Sequence, residues 1–386
     1  MIKRAMGEKI LYLSKKFPIV TVTGPRQSGK TTLIRNLFPK HKYISLEDPD
    51  TRLHAESDPK GFLVNAGSKF ILDEVQRVPE IFSYLQAVAD SSSNNGRIIL
   101  SGSQSFLLYE KISQSLAGRA AMCCLLPFSI KELQDAQIKI KTPEVLIYKG
   151  FYPRLYKERI KPIDFYPGYI QTYVERDVRL LKNIGDLNGF IGFVKLCAGR
   201  AGQILNFSSL ANDAGISVNT AKSWISVLEA SYIIFLLHPY YKNFNKRIIK
   251  MPKLMFYDTG LLCSLLGISD HKQLTQFYML GNLFENFIIS EFLKNRYNKA
   301  MPHDMFYWRD NKGNEIDLVI EKNSKLIAIE IKHTSTFNTS YFKQLERFSG
   351  LSNAVSGSFV INGGNENYIN GKYKFISWSK INELDI

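Results

Sequence analysis

Apolar positions in the first third of the chain change their period several times. Residues 17–23 form a β-type run, and a helical pattern follows over 30–37. Short apolar runs return at 43–46, 70–72 and 97–100, with a helical pattern from about Pro79 to Asp90 before the last of them. Residues 120–126 read as one more strand. Strands alternating with helices predict an α/β domain with a mainly parallel sheet covered on both faces.

The middle third changes character. Residues 164 to about 182 predict a long helix. Residues 208–215 and 217–229 predict two helices, with Ser208 and Ser217 as N-caps and Gly215 as the stop between them. Strands are expected at 232–237 and 253–257, around the basic loop YYKNFNKRIIK. This order resembles a winged helix-turn-helix. Its second helix, SVNTAKSWISVLE, carries Asn219, Thr220, Lys222 and Ser223 on its early turns, residue types that suit phosphate and base-edge contacts. A packing or lid module is the competing reading, because the fold alone does not fix the role. The last third predicts a helix over 283–295 and strands at 305–309, 315–320 and 325–332. Linkers near 135–165 and 265–280 then divide the chain into three domains, 1–135, 160–265 and 275–386.

Composition narrows the class. Lys plus Arg number 50 against 35 Asp plus Glu, a net charge of +15, which makes polyanions plausible partners, nucleic acid first. Cys123, Cys124, Cys197 and Cys263 form no CxxC pair and read as reduced core residues. The six histidines give no zinc-type spacing. The first residues, MIKRAMGEKILYLSKKF, hold no apolar signal core, and no apolar run approaches the ~18 residues of a membrane span. The expectation is a cytoplasmic protein with no membrane partner.

The candidate chemistry begins at GPRQSGKTT: Gly24, Pro25, Arg26, Gln27, Ser28, Gly29, Lys30, Thr31 and Thr32. It fits G-x-x-x-x-G-K-[ST] between a strand and a helix. Glycines let the backbone wrap a phosphate, and the helix N-terminus adds partial positive charge. Lys30 would reach the β- and γ-phosphates, and the Thr31 hydroxyl would ligate Mg²⁺. The run FILDEVQ adds Asp73 as a second Mg²⁺ holder and Glu74 as the group that orients and polarises a water. In RIILSGSQS, Ser101 or Ser103 would contact the γ-phosphate, and the sequence does not choose between them. SLAGRA offers Arg119, either an arginine finger acting across a subunit boundary in a nucleotide-dependent homo-oligomer or an ordinary surface arginine. No NKxD guanine-reading motif occurs in a suitable place, which favours ATP over GTP.

These motifs, with KGFYPRLY and YIQTYVERDVR, resemble the prokaryotic AAA-type ATPases that carry a fixed C-terminal domain of formerly unknown function. The ERD-x-R stretch, Glu175, Arg176, Asp177 and Arg179, is the family's most specific mark outside the nucleotide motif. The resemblance implies an AAA+ core and ATP binding. Phe151 departs from it, standing where the family more often has a glycine.

A second constellation lies in EIDLVIEKNSKLIAIEIKH. A turn at Asn323 and Ser324 would set Asp317 opposite Glu330 and Glu315 opposite Lys332. Two opposed carboxylates repel, and a divalent metal between them would relieve the repulsion. Without metal, Asp317→Ala is then expected to leave stability unchanged or to raise it. Asp followed by E-x-K in the next strand resembles the PD-(D/E)xK nucleases. That resemblance implies Glu285 on the preceding helix, with Glu291 a weaker alternative, as a third Mg²⁺ ligand beside Asp317 and Glu330, and Lys332 as the residue that orients water or stabilises charge. Two functions compete: an ATP-driven enzyme that grips or cleaves DNA, and a regulatory ATPase switch whose later domains are interaction surfaces.

Overall fold

Five strands carry the first third: β1 (Ile19–Thr23), β2 (Lys42–Ser45), β3 (Phe70–Asp73), β4 (Ile98–Ser101) and β5 (Ala120–Cys124). They form one parallel sheet in the order β2-β3-β4-β1-β5. Successive side chains point to opposite faces. Ile19, Phe70, Leu72, Ile98 and Leu100 enter one apolar cluster, while Val20, Val22, Ile71 and Ile99 enter another. The second cluster is closed by α1 (Met6–Ser14) and α2 (Lys30–Leu37), and the first by α3 (Pro49–Ser57), α4 (Pro59–Ala66) and α5 (Ile81–Asp90). The structure, a computed structural model, describes residues 2–90, 95–103, 116–173, 185–241 and 250–384.

Helices α3 and α4 were not expected from periodicity, yet their starts are written locally. Each opens Asp-Pro: Asp48 accepts from the Thr51 N–H at 2.8 Å and Asp58 from the Gly61 N–H at 2.9 Å. Proline at the first helical position then lacks only an N–H that would have no partner.

The chain divides into two compact units. The first is Met1–Phe128 together with two later segments, Ala230–Tyr232 and Arg296–Pro302. Tyr232 donates its hydroxyl to Thr23 Oγ1 at 2.8 Å, and Tyr297 packs against the cluster under α1 and α2.

In the second unit, the helices Phe207–Asp213 and Val218–Ala230 precede an antiparallel pair, β6 (Ile234–Leu237) and β7 (Lys253–Phe256). Ser217 caps as expected, accepting from the Thr220 N–H at 3.0 Å, and Gly215 has the positive φ of 65°. The other cap differs: Asn206, not Ser208, accepts from the Ser209 N–H, so the cap sits two residues earlier. The helix expected from 164 begins at Pro162. Its continuation, with Glu175, Arg176, Asp177 and Arg179, lies outside the described residues, as do residues 242–249 of the basic loop.

The last third of the chain forms a six-stranded mixed sheet behind the helix Leu280–Asn298. Its strands are β8 (Met305–Arg309), β9 (Glu315–Lys322), β10 (Lys325–Lys332), β11 (Val355–Asn362), β12 (Tyr368–Asn370) and β13 (Tyr373–Ser377), in the order β12-β13-β11-β10-β9-β8. Asn323 and Ser324 have φ of 52° and 62°, the two positive values of a tight hairpin turn. The expected register holds from Lys322↔Lys325 to Leu318↔Ile329. Beyond that point β9 carries an extra residue against β8, whose pairs run Phe306↔Val319 and then Trp308↔Ile316. Such a bulge turns the side chains around Asp317 away from simple alternation. Among the described residues, no helix is long and apolar enough to cross a membrane.

Candidate functional site

The nucleotide loop follows β1 and ends on α2. Gly24 has φ of 140°, and a Cβ there would meet the Leu125 carbonyl oxygen at 2.2 Å, so only glycine fits. Gly29 opens α2 with φ of 92°, and Gln27 also sits in the left-handed region at 61°. Lys30, Thr31 and Thr32 form the first turn of α2. Lys30 is buried, and its Nζ donates to the carbonyls of Gly24 at 2.9 Å and Pro25 at 2.8 Å. Burial pulls the Lys30 ammonium pKa below its ordinary value, against the opposing fields of Glu74 and Asp73. Ser28 Oγ is buried with no hydrogen-bond partner.

Asp73 ends β3, buried among neutral donors. Its Oδ2 accepts from Thr31 Oγ1 at 2.7 Å and from the Tyr43 hydroxyl at 2.8 Å. Its Oδ1 accepts from the Glu74 N–H at 3.2 Å and from Ser101 Oγ. Burial, then the Asp73 charge, raises the Tyr43 hydroxyl to about 12. Glu74 leaves the strand with φ of 56° and ψ of 42°, a conformation that costs a non-glycine residue roughly 1–2 kcal/mol. Its Oε2 accepts from Gln76 Nε2 and, at 3.1 Å, from Ser103 Oγ. The two serines are thus divided, Ser101 to Asp73 and Ser103 to Glu74. A Mg²⁺ ion fits this donor set, since a hydroxyl and a carboxylate oxygen meet beside the loop.

Arg119 is not with them. It precedes β5, whose Ala120 is level with Ile19, whereas the loop follows Thr23, level with Cys124. Arg119 therefore stands at the opposite end of the strands from the loop. Its guanidinium closes on Asp90, Nε to Oδ1 at 2.6 Å and Nη2 to Oδ2 at 2.9 Å.

The C-terminal acids do converge, though differently from expectation. Asp317 Oδ2 accepts from the Ile331 N–H at 2.8 Å and lies 3.5 Å from Lys332 Nζ, which pairs with Glu330 at 2.8 Å. Glu315 does not face Lys332; past the bulge it pairs with Arg309 at 3.1 Å and with Lys253 at 2.5 Å. Glu285 also binds Lys253, at 2.7 Å. Lys253 is almost wholly buried, 3% exposed, and comes from β7. Burial works against its charge, but Glu285, Asp317 and Glu315 outweigh that and hold its pKa above the ordinary value. Burial raises Glu285 to about 7 and Glu330 well above the usual carboxylate range. Glu330 Oε1 is buried without a partner. Among the described residues, no group of three or more His, Cys, Asp and Glu side chains could hold a metal ion. Of the expected metal set, Glu285 is paired with Lys253, and Asp317 and Glu330 with Lys332. Glu291, the weaker alternative, is buried elsewhere against Lys294 and the Ile130 N–H. All four cysteines are free and buried.

Residues 16–134 match the model of an AAA domain, 140–272 that of a domain of unknown function (DUF8612), and 280–381 that of another (DUF4143). The uncharacterized protein Rv2008c of Mycobacterium tuberculosis is 30% identical over 323 residues, covering 83% of this chain and 71% of its own. Uncharacterized protein Mb2031c of Mycobacterium bovis matches to the same extent. The chain belongs to the family of these mycobacterial proteins. The uncharacterized protein MJ1544 of Methanocaldococcus jannaschii is 23% identical, over 85% of this chain and 78% of its own. A solved structure, the Walker-type ATPase PABY2304 of Pyrococcus abyssi, aligns with a TM-score of 0.46 and 14% identity, over 69% of this chain and 96% of that one.

This member of the family thus opens with an AAA-type P-loop domain and ends with the second of these domains of unknown function. Three residues at its sites escaped the reading of the sequence. Tyr43 reaches Asp73 because β2 and β3 are neighbours, with Ser45 level with Asp73. Gln76 lies two positions after Glu74, and the polar ending of LDEVQ was the available signal. Lys253 had no signal, since its partners lie 32 and 62 residues further along the chain.

Proposed function

We propose that the chain is a Mg²⁺-dependent ATPase whose second unit grips nucleic acid. One observation carries the first half: Asp73 touches Thr31 beside the loop, while Glu74 is aimed by Gln76 and Ser103. Lys30 exchanges its two carbonyl acceptors for the β- and γ-phosphate oxygens. The loop N–H groups and the start of α2 hold the remaining phosphate charge. Thr31 and Asp73 would hold Mg²⁺, which would supply charge neutralisation at the phosphates. Glu74 takes the proton of the attacking water at its carboxylate, with Ser103 and Gln76 fixing that carboxylate's direction. The test is Glu74→Gln: nucleotide binding should persist while hydrolysis falls by about 10²–10⁴-fold. Loss of nucleotide binding in that variant would make Glu74 structural and remove the assignment.

The second half rests on the charge of +15 and on the helix Val218–Ala230. That helix buries Ala221, Trp224, Ile225 and Leu228 and leaves Asn219 and Lys222 exposed on its early turns. Filter binding of duplex, single-stranded and junction DNA across salt tests this, with a steep salt slope expected for phosphate contacts. No binding at low salt would favour the second reading, a regulatory switch whose later regions are interaction surfaces. The lysine-compensated acids favour gripping over cutting. Arg119, closed on Asp90, lends no support to a nucleotide-dependent homo-oligomer.

A further inference from the structure

The Asp317, Glu330 and Lys332 pattern implies a divalent metal that the surrounding side chains do not accommodate. We propose that Lys253 is the resident cation of this cluster, a tethered ammonium standing where the nuclease-like pattern would place a divalent ion. Its Nζ lies 2.7 Å from Glu285 Oε1 and 2.5 Å from Glu315 Oε1. Divalent ions take carboxylate oxygens at about 2.0–2.6 Å, so ammonium and metal compete for the same space and the same lone pairs.

Three observations hold Lys253 in that place. Its backbone is fixed on two sides, by Leu237 of β6 and by a bridge to Ile204. Its ammonium lies 5.5 Å from the centre of the Tyr307 ring, a cation–π contact. Its side chain is 3% exposed, so releasing the lysine from the carboxylates would leave a buried charge unpaired. Three cations offset three of the four carboxylate charges here without a metal. Lys253, Lys332 and Arg309 face Glu285, Glu315, Asp317 and Glu330, and Ile331 adds an N–H to Asp317. The cation is supplied by the middle of the chain and the acids by its end, so the cluster joins the two segments. This inference does not depend on whether the chain hydrolyses ATP or touches nucleic acid.

The experiment is Mn²⁺ binding to nucleotide-free protein, followed by the loss of the free-ion electron paramagnetic resonance signal. It compares wild type, Asp317→Asn, Lys253→Met and the double variant Lys253→Met/Asp317→Asn. Wild type and Asp317→Asn should bind Mn²⁺ equally. Lys253→Met should gain one ion per chain, at least about tenfold tighter than any site in wild type, because a unit positive charge has been withdrawn from the carboxylates. The double variant should lose that ion. Mn²⁺ binding in wild type that disappears in Asp317→Asn would overturn the proposal. So would a folded Lys253→Met, judged by near-ultraviolet circular dichroism, that gains nothing. If Lys253→Met unfolds without metal, Mn²⁺ should restore its native spectrum, and no restoration would equally overturn the proposal. Lys253→Arg keeps a cation and should behave as wild type.

Discussion

Two groups of carboxylates in this molecule look alike in sequence and differ in their neighbours. Asp73 stands among three hydroxyls and one backbone N–H, all neutral. Glu285, Glu315, Asp317 and Glu330 stand among two ammonium groups and a guanidinium. Neutral donors orient a carboxylate and leave its charge for a cation to use. Charged partners use that charge themselves, and a buried pair broken afterwards leaves an isolated ion. An acidic motif therefore names candidate ligands, but the residues packed around it decide whether a metal is wanted.

The largest expected effect sharpens the comparison from the nucleotide side. Lys30→Ala should abolish tight nucleotide binding and lower hydrolysis by about 100-fold or more, since a buried donor to the phosphates is lost; Lys332→Ala should leave ATP turnover unchanged. Equal turnover in Lys30→Ala and wild type, measured by phosphate release, would erase the distinction. Arg119→Ala is next in diagnostic range. A working arginine finger is worth about 10³-fold or more, whereas an arginine closed on Asp90 should leave hydrolysis within about twofold. Steady-state rates across protein concentration separate these outcomes.

Asp317→Ala reverses what opposed acids alone suggest. Repulsion predicts a neutral or stabilising change, but Asp317 accepts the buried Ile331 N–H and faces Lys332. Removing it should cost about 1–3 kcal/mol in urea unfolding, the penalty of an unsatisfied buried donor. A more stable variant would return the cluster to the metal reading. The smallest effect concerns Glu144, which accepts from His333 at 2.6 Å. That hydrogen bond, working against burial, holds the carboxyl at about 2 instead of 4.5. A lowered carboxyl stabilises the fold above the unfolded value and loses that contribution as pH falls from about 4.5 towards 2. After allowance for solvent screening, wild type should lose roughly 1 kcal/mol more than Glu144→Gln across that window. Parallel acid limbs for the two proteins would show that the pair contributes nothing.

The nucleotide loop was readable because its chemistry is local. Nine consecutive residues specify the strand exit, the glycines and the helix start. The hairpin turn at Asn323 and Ser324 and its first pairs were readable for the same reason, as both strands meet through two residues. Register failed one step beyond Leu318, where the bulge in β9 answers to β8, a strand whose pairing the sequence did not disclose. Lys253 was invisible because no periodicity in β7 announces what its side chain meets in Glu285. Strand β11 was missed as well: it pairs in parallel with β10 and is reached only after a crossover, so no short turn advertises it.

The first unit borrows Ala230–Tyr232 and Arg296–Pro302 from far along the chain. A ribosome emits residues in order, so the nucleotide-binding unit waits unfinished through some 170 residues of further synthesis, at ~5–20 residues per second. During that interval the Thr23 hydroxyl lacks Tyr232, and the face under α1 and α2 lacks Tyr297. A gene cut after residue 134 would freeze the chain in that interval and yield a fragment with that face uncovered.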